Sequence, residues 1–366
     1  MSRWRMISIL VFIVIVIFSC RKEDDKPDEN IPEQPIDTSV KFELDQVPYA
    51  NLSEYRFFTG AMADMLPNAR VLPYDPITPL FSDYAHKKRF VWMPDGVSAE
   101  YVSDHQIFDF PDGTVLIKNF YYDHVQPNDV RKIVETRLIY KKDGAWLFAD
   151  YTWNEEQTEA VFSLSGSNVP VSWIDDDGSE KYVNFRIPSE VECHTCHKAN
   201  QISIPIGPKP QNLNKDYLFA DGMMNQLQKW QEVGYLSGNI PADIVTTIDW
   251  KDESFPLDLR VRSYLDANCG HCHSDVGHCN YRNLRFTFDK TDEDANMGIC
   301  VVPDLPINPT ITHIIARTSP LRSAALYRMN TNEANFMMPM LGRTIVHQEG
   351  VDLLEEYILS LSPVCP

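Results

Sequence analysis

Two short stretches constrain this chain more than anything else in it: Cys193-His194-Thr195-Cys196-His197 and Cys269-Gly270-His271-Cys272-His273. Both read CxxCH. Two cysteines three apart at the start of a helix share one face, so both sulfurs reach the two vinyl groups of one haem. The histidine that follows brings its imidazole to the iron as proximal ligand, and the motif is read as c-type haem attachment. Zinc is the competing chemistry. A zinc ribbon separates its two CxxC pairs by about 15 to 20 residues, whereas Cys196 and Cys269 are 73 apart. Zinc also requires no histidine after each second cysteine. The expected cofactors are therefore two covalently bound haem c groups, on Cys193 and Cys196 with His197 as iron ligand, and on Cys269 and Cys272 with His273. His194 and His271, at the x positions, read as exposed spacers.

The remaining cysteines divide by position. Of eight, four belong to the motifs, Cys20 ends an apolar segment, and Cys279, Cys300 and Cys365 remain. Cys279 with Cys300 is the expected disulfide because both sit in the stretch after the second motif, with three reduced cysteines as the alternative.

Residues 1–20 have the pattern of a targeting segment. Arg3 and Arg5 precede a 13-residue run from Met6 to Phe18, shorter than the roughly 20 residues a membrane span needs. Ser19-Cys20 resembles the lipobox of bacterial lipoproteins, which implies lipidation of Cys20 and an anchor in the outer membrane of a bacterial cell envelope. Residues 21–40 are acidic and proline-rich, with Pro27, Pro32 and Pro35. Such a tract buries too little to fold and serves as an extended tether. The formal charge of −19, from 33 basic and 52 acidic residues, argues against nucleic acid as partner.

Residues 41–190 alternate as β-strands. Arg89–Met93, Val115–Tyr122, Ile133–Tyr140 with Trp146–Trp153, and Val171–Trp173 with Tyr182–Phe185 are separated by turn residues such as Lys142-Asp143-Gly144 and Asp177-Gly178. Their spacing predicts an antiparallel β-sandwich or barrel. The run Asp175-Asp176-Asp177-Gly178 lacks the downstream glutamate of a calcium loop and reads as a turn.

Residues 191–250 form the first haem segment, with a helix expected from Met223 to Val233. Residues 251–366 form the second, with helices expected over Leu257–Ala267 and Gln348–Leu361. Between these helices lies Met337-Met338-Pro339-Met340. A thioether ahead of a proline, on a stiff loop before the closing helix, suits the sixth iron ligand.

This order resembles the class I cytochrome c fold from about residue 255 to 362. The passages Thr78–Ala85, Asp112–Lys118, Trp153–Thr158, Gly298-Ile299-Cys300 and Met338-Pro339 resemble a family of bacterial di-haem c-type cytochromes with an N-terminal β-domain. The resemblance implies a β-domain followed by mainly α, cytochrome c-like haem domains. The family has a second proline after Met-Pro, where this chain has Met340, so Met337 and Met340 stand beside Met338 as candidates. For the sixth ligand of the first haem the candidates are Met224, Met223 and His124. The expected function is electron transfer with a redox protein partner, a dehydrogenase or an acceptor. A peroxidase-like redox enzyme with an open first haem, and a metal-stabilised interaction lipoprotein, are the alternatives.

Overall fold

The structure, a computed structural model, describes residues 39–366. The targeting segment, Cys20 and nearly all of the tether lie outside the described residues. Long alternating runs become one large antiparallel sheet, built from β1 (Leu72–Tyr74), β2 (His86–Trp92), β3 (Val115–Val125), β4 (Val130–Lys142), β5 (Ala145–Trp153), β6 (Ala160–Phe162), β7 (Ser165–Ile174) and β8 (Glu180–Ser189). The order is β8-β7-β3-β4-β5-β6, with β2 beside the first part of β3 and β1 beside β2. The sheet forks at β3: β2 pairs with it over Val115–Tyr121, and β7 meets it at Val125 alone. Between β4 and β5 the two-residue loop Asp143-Gly144 has φ of 51° and 75°. This double left-handed turn matches the natural twist of a hairpin and is what an Asp-Gly pair favours.

The sheet is open, and the expected sandwich or barrel does not form. Period-two alternation sends Val115, Ile117, Leu138, Tyr140, Ala149 and Tyr151 to one face, where Tyr49, Leu52, Tyr55 and Met65 cover them. Leu116, Ile139 and Phe148 go to the other face, against Cys193, Leu213, Leu227, Trp230 and Tyr235. No second sheet is required, because non-strand segments from both sides of the sequence bury both faces. The sheet and both motif segments belong to one unit, Ser39–Pro366.

β8 runs directly into α1 (Glu190–Cys196), whose start is fixed by Ser189 donating its backbone N–H to Glu192 at 2.7 Å. A hairpin follows, β9 (Asp216–Phe219) and β10 (Gly222–Asn225), then α2 (Gln226–Glu232). Met223 and Met224 are thus strand residues, and the helix expected from Met223 begins three residues later. Asn225 sets that start, its side chain accepting from the N–H groups of Leu227 and Gln228.

Helices α3 (Leu257–Leu265) and α5 (Gln348–Ser360) lie close to where the periodicity puts them. They share a core through Val261, Tyr264, Leu265, Val351, Leu354 and Ile358. The remainder of this region is poor in helix. Apart from single turns it adds only α4 (Ala324–Met329), and Pro303, Pro306, Pro309 and Pro320 break the intervening chain. The disulfide joins Cys300 to Cys365, not to Cys279, which is free and buried. The C-terminal tail folds back across α5's end, so Cys365 is near in space though 65 residues away in sequence. Among the described residues no helix is long and apolar enough to cross a membrane.

Candidate functional site

The two CxxCH motifs sit on different local structures. Cys193 and Cys196 lie on α1, and His197 closes it, its N–H donating to Cys193 O at 2.9 Å. Cys269 lies in a widened helical turn, Asp266–Gly270, that extends α3, and His273 donates its backbone N–H to Cys269 O, also at 2.9 Å. Despite this difference the motifs converge. Ligand atoms of Cys196, His271 and Cys272 lie within 4.8 Å of one another. His271 is accordingly partly buried rather than an exposed spacer, and its Nδ1 is buried without a hydrogen-bond partner among the described residues. His194 is exposed as expected, its Nδ1 2.8 Å from Ser203 Oγ.

His197 and His273, the last residues of the two motifs, are both held neutral. Burial pushes His197 down to about 3 and His273 to about 4. His197 Nδ1 lies 2.8 Å from Ile204 O, which fixes the proton there and leaves Nε2 as the free lone pair, the tautomer a metal-ligating imidazole needs. His273 packs edge-on against Phe286, and its Nδ1 is buried without a partner among the described residues.

The first cysteine of each motif is a neutral thiol, Cys193 buried and Cys269 half-buried, and desolvation pushes both up to about 12. The second cysteines act as a pair. A hydrogen bond from Cys272 pulls Cys196 down, against its burial and with help from His271, and pushes Cys272 up.

Two cavities open from these motifs. One, of about 150 Å³, is lined by Cys193, Cys196 and His197, by Arg89, Lys118 and Arg137 of the sheet, and by Met329, Met338 and His347. The other, of about 350 Å³, is lined by Cys269, Cys272 and His273, by apolar Leu265, Phe286 and Ile314, and by Met329, Met338 and Met340. A wider cleft of about 1020 Å³ also reaches Cys196 and His271. The donor set fits covalent haem: cysteine sulfurs for thioether formation, neutral imidazoles, apolar walls in the second cavity, and the thioethers of Met329 and Met338 shared by both.

Met338 is firmly placed. Its N–H donates to Arg328 O at 2.8 Å, and buried Arg343 donates to the carbonyls of Met338, Arg328 and Thr331. The loop is also tied to the sheet side, where Asp83 accepts from Thr344 N at 2.7 Å, Thr344 Oγ1 at 2.9 Å and Ile345 N at 3.1 Å. From the same passage, Phe81 N–H donates to Asn268 Oδ1 at 2.8 Å, next to Cys269. Met337 lines neither motif cavity, and Met340 is 45% exposed at the edge of the second.

The three candidates for the first haem's sixth ligand are not brought to its cavity. His124 is on the β3–β4 hairpin, 2.7 Å from Asp129 and largely exposed. Met223 is 64% exposed, and Met224 packs at the margin of the apolar cluster that contains Cys193. Sequence reasoning missed Met329 and His347, which do line it. His347 stacks on Phe81 at 4.1 Å and receives or gives a hydrogen bond at 2.9 Å to Tyr264 Oη. Its place one residue before α5 was the available signal.

His347 also carries a pH dependence. Burial pushes it down to about 4, against an unfolded value of about 6.5. Between those values the unfolded chain takes up a proton that the folded chain refuses, so stability falls as pH falls from about 6.5 to 4, by up to about 3 kcal/mol for this group. Melting temperature measured from pH 7 to pH 4 is expected to drop less steeply in His347→Gln than in the wild type. Parallel curves would remove His347 as a source of the acid loss and leave it to other groups, His197 and His273 among them.

Comparison with protein-family models, with curated proteins and with solved structures gave no match for this chain.

Proposed function

We propose that this chain is a di-haem c-type cytochrome that passes single electrons in the bacterial cell envelope. The observation that carries the reading is the convergence of two CxxCH motifs, 73 residues apart in sequence, with Cys196, His271 and Cys272 within 4.8 Å. Haem, when bound, supplies the one-electron couple. The chain's own residues do the rest: Cys193, Cys196, Cys269 and Cys272 hold the two groups, and His197 and His273 present neutral nitrogens. Met338 offers sulfur, whose ligation raises potential and fills a coordination site, favouring electron transfer over ligand chemistry. The shared core of α3 and α5 supports a class I cytochrome c-like arrangement around the second motif. A redox protein, a dehydrogenase or an acceptor, is the partner this reading requires. Denaturing gels stained for haem, after expression with an intact attachment system, test the proposal; a full-length band without stain overturns it.

One observation favours a second reading. Cys196, His271 and Cys272 together are a three-ligand N/S set of the kind zinc takes. A metal-stabilised interaction lipoprotein predicts stoichiometric zinc and no haem absorbance in the same preparation.

We further propose a lipid anchor on Cys20 in the outer membrane. Two acyl chains hold far more tightly than one, so Cys20→Ser is expected to move the protein from the membrane to the soluble fraction. Undiminished membrane association would replace the lipid with an uncleaved apolar segment.

A further inference from the structure

The sheet face opposite the first motif carries a row of charge that the haem reading does not yet use. Register places Arg89 of β2 opposite Lys118 of β3, Lys118 opposite Arg137 of β4, and Arg137 opposite Asp150 of β5. Directly paired residues on antiparallel strands point to one face. Arg89, Lys118 and Arg137 all line the cavity that contains Cys193, Cys196 and His197.

Like charges directly opposite one another destabilise a sheet, and here three cations are adjacent on strands at its centre. Their counter-charges fall short. Arg89 pairs with Asp75 at 3.0 Å, but Asp75 is shared with Lys215, also at 3.0 Å. Arg137 pairs with Glu135 and lies 3.9 Å from Asp150. Burial and then the neighbouring Glu135 raise the Asp150 pKa well above the carboxylate range, against the pull of Arg137. Lys118 has no ion pair among the described residues; its ammonium sits 4.8 Å from the Phe120 ring. Burial first, then Arg89, Lys87 and Arg137, hold that ammonium well below the usual lysine range. The cavity therefore has a wall of three basic side chains facing the first motif, of which Lys118 has no carboxylate partner among the described residues.

We infer that the Arg89–Lys118–Arg137 row binds the carboxylates of the haem attached at Cys193 and Cys196. The inference rests on the haem reading above. The haem carries two carboxylates on the edge of an otherwise apolar ring, and charge-assisted bonds to buried guanidinium and ammonium groups are the strong kind. The row thus gives the sheet a role in the redox site: it orients the first haem and sets the charge beside its iron. The second cavity is lined by Arg282 and Arg328 but by no residue of this row, so the row acts on the first cavity.

Lys118 is the residue to test, because Arg89 and Arg137 also hold other carboxylates. The experiment uses full-length, haem-loaded protein and compares Lys118→Met and Lys118→Gln with Lys118→Arg. The first haem is identified as the one missing from Cys193→Ala/Cys196→Ala. In Lys118→Met that haem's midpoint potential is expected to fall, since an uncompensated carboxylate favours ferric iron, and the propionate bending mode in its resonance Raman spectrum is expected to shift. Lys118→Arg is expected to restore both. If Lys118→Met fails to fold, Lys118→Gln carries the same readouts. Two haems retained with unchanged potential and propionate mode in the neutral variants overturn the clamp. A potential shift that Lys118→Arg fails to restore, with the propionate mode unmoved, overturns it as well. A wild-type chain without covalent haem is a different result and removes the cytochrome reading itself.

Discussion

Cys193→Ala combined with Cys196→Ala is expected to halve the haem content, leaving one covalent haem per chain where the wild type holds two. A pyridine haemochrome assay against protein concentration gives the number directly. The cause lies in the motif: thioether bonds form only to cysteine sulfur, and the second motif keeps its own pair. The structure adds a consequence. Because Cys196 and Cys272 are neighbours, with His271 completing a cluster within 4.8 Å, the two attachment points adjoin. The remaining haem is therefore expected to change its spectrum and potential when the first is removed. In the fully loaded oxidised protein, electron spin resonance should show broadened lines from coupling between the irons, and narrow lines in the double variant. A double variant that keeps two haems, or a wild type that holds one, would end the di-haem reading. The loss also bears on folding, since the first cavity lies between the sheet and the second motif and an unfilled space there forfeits packing on several elements.

Much of the β-region was legible because its signals are local. Alternation and the Asp143-Gly144 pair defined the β4–β5 hairpin, and the pairing of Val171 with Val183 follows the turn at Gly178. What covers a sheet is not local. Both faces of β3, β4 and β5 are buried, a pattern that suggests a second sheet when segments 49–65 and 213–236 are not seen to close over them. The helix expected at Met223 failed for a different reason. Met224, Leu227 and Trp230 repeat at helical spacing, but Asn225 competes by capping, and the hairpin Asp216–Asn225 takes Met224 as a strand residue. Cys300 found Cys365 because a tail can fold back regardless of sequence separation.

Of the candidate site, the two motifs and the Met-Pro loop could be picked out because their patterns span only a few residues, and the structure brings them to shared cavities. Asp83 was not. The passage Thr78–Ala85 carried a family resemblance, yet only the fold shows that its aspartate grips Thr344 and Ile345 and so holds the Met338 loop against the sheet side. The charged row was also invisible, because Arg89, Lys118 and Arg137 become neighbours through strand register alone. An isolated lysine inside Leu116-Ile117-Lys118-Asn119-Phe120 reads as an edge residue until its partners are known.

Met338→Ala is expected to abolish the weak sulfur-to-iron charge-transfer absorption of one haem and to lower that haem's midpoint potential. Thioether sulfur favours ferrous iron, so its loss stabilises the ferric form; each tenfold change in that preference moves a one-electron couple by about 59 mV, and a drop larger than this is expected. The geometry makes the variant informative in a way the motif alone does not. Met338 lines both cavities, as does Met329, whereas Met340 borders only the second and Met337 neither. The backbone of Met338 is held by its N–H donating to Arg328 O and by its carbonyl accepting from the Arg343 guanidinium, so truncating its side chain leaves the loop in place and isolates the ligand effect from a folding effect. An unchanged spectrum and potential would remove Met338 as ligand and pass the role to Met329, whose alanine variant would then show the loss. Covalent attachment through Cys269 and Cys272 survives either substitution, so haem content stays at two per chain while potential falls, and that separation of retention from tuning is the signature of an axial methionine.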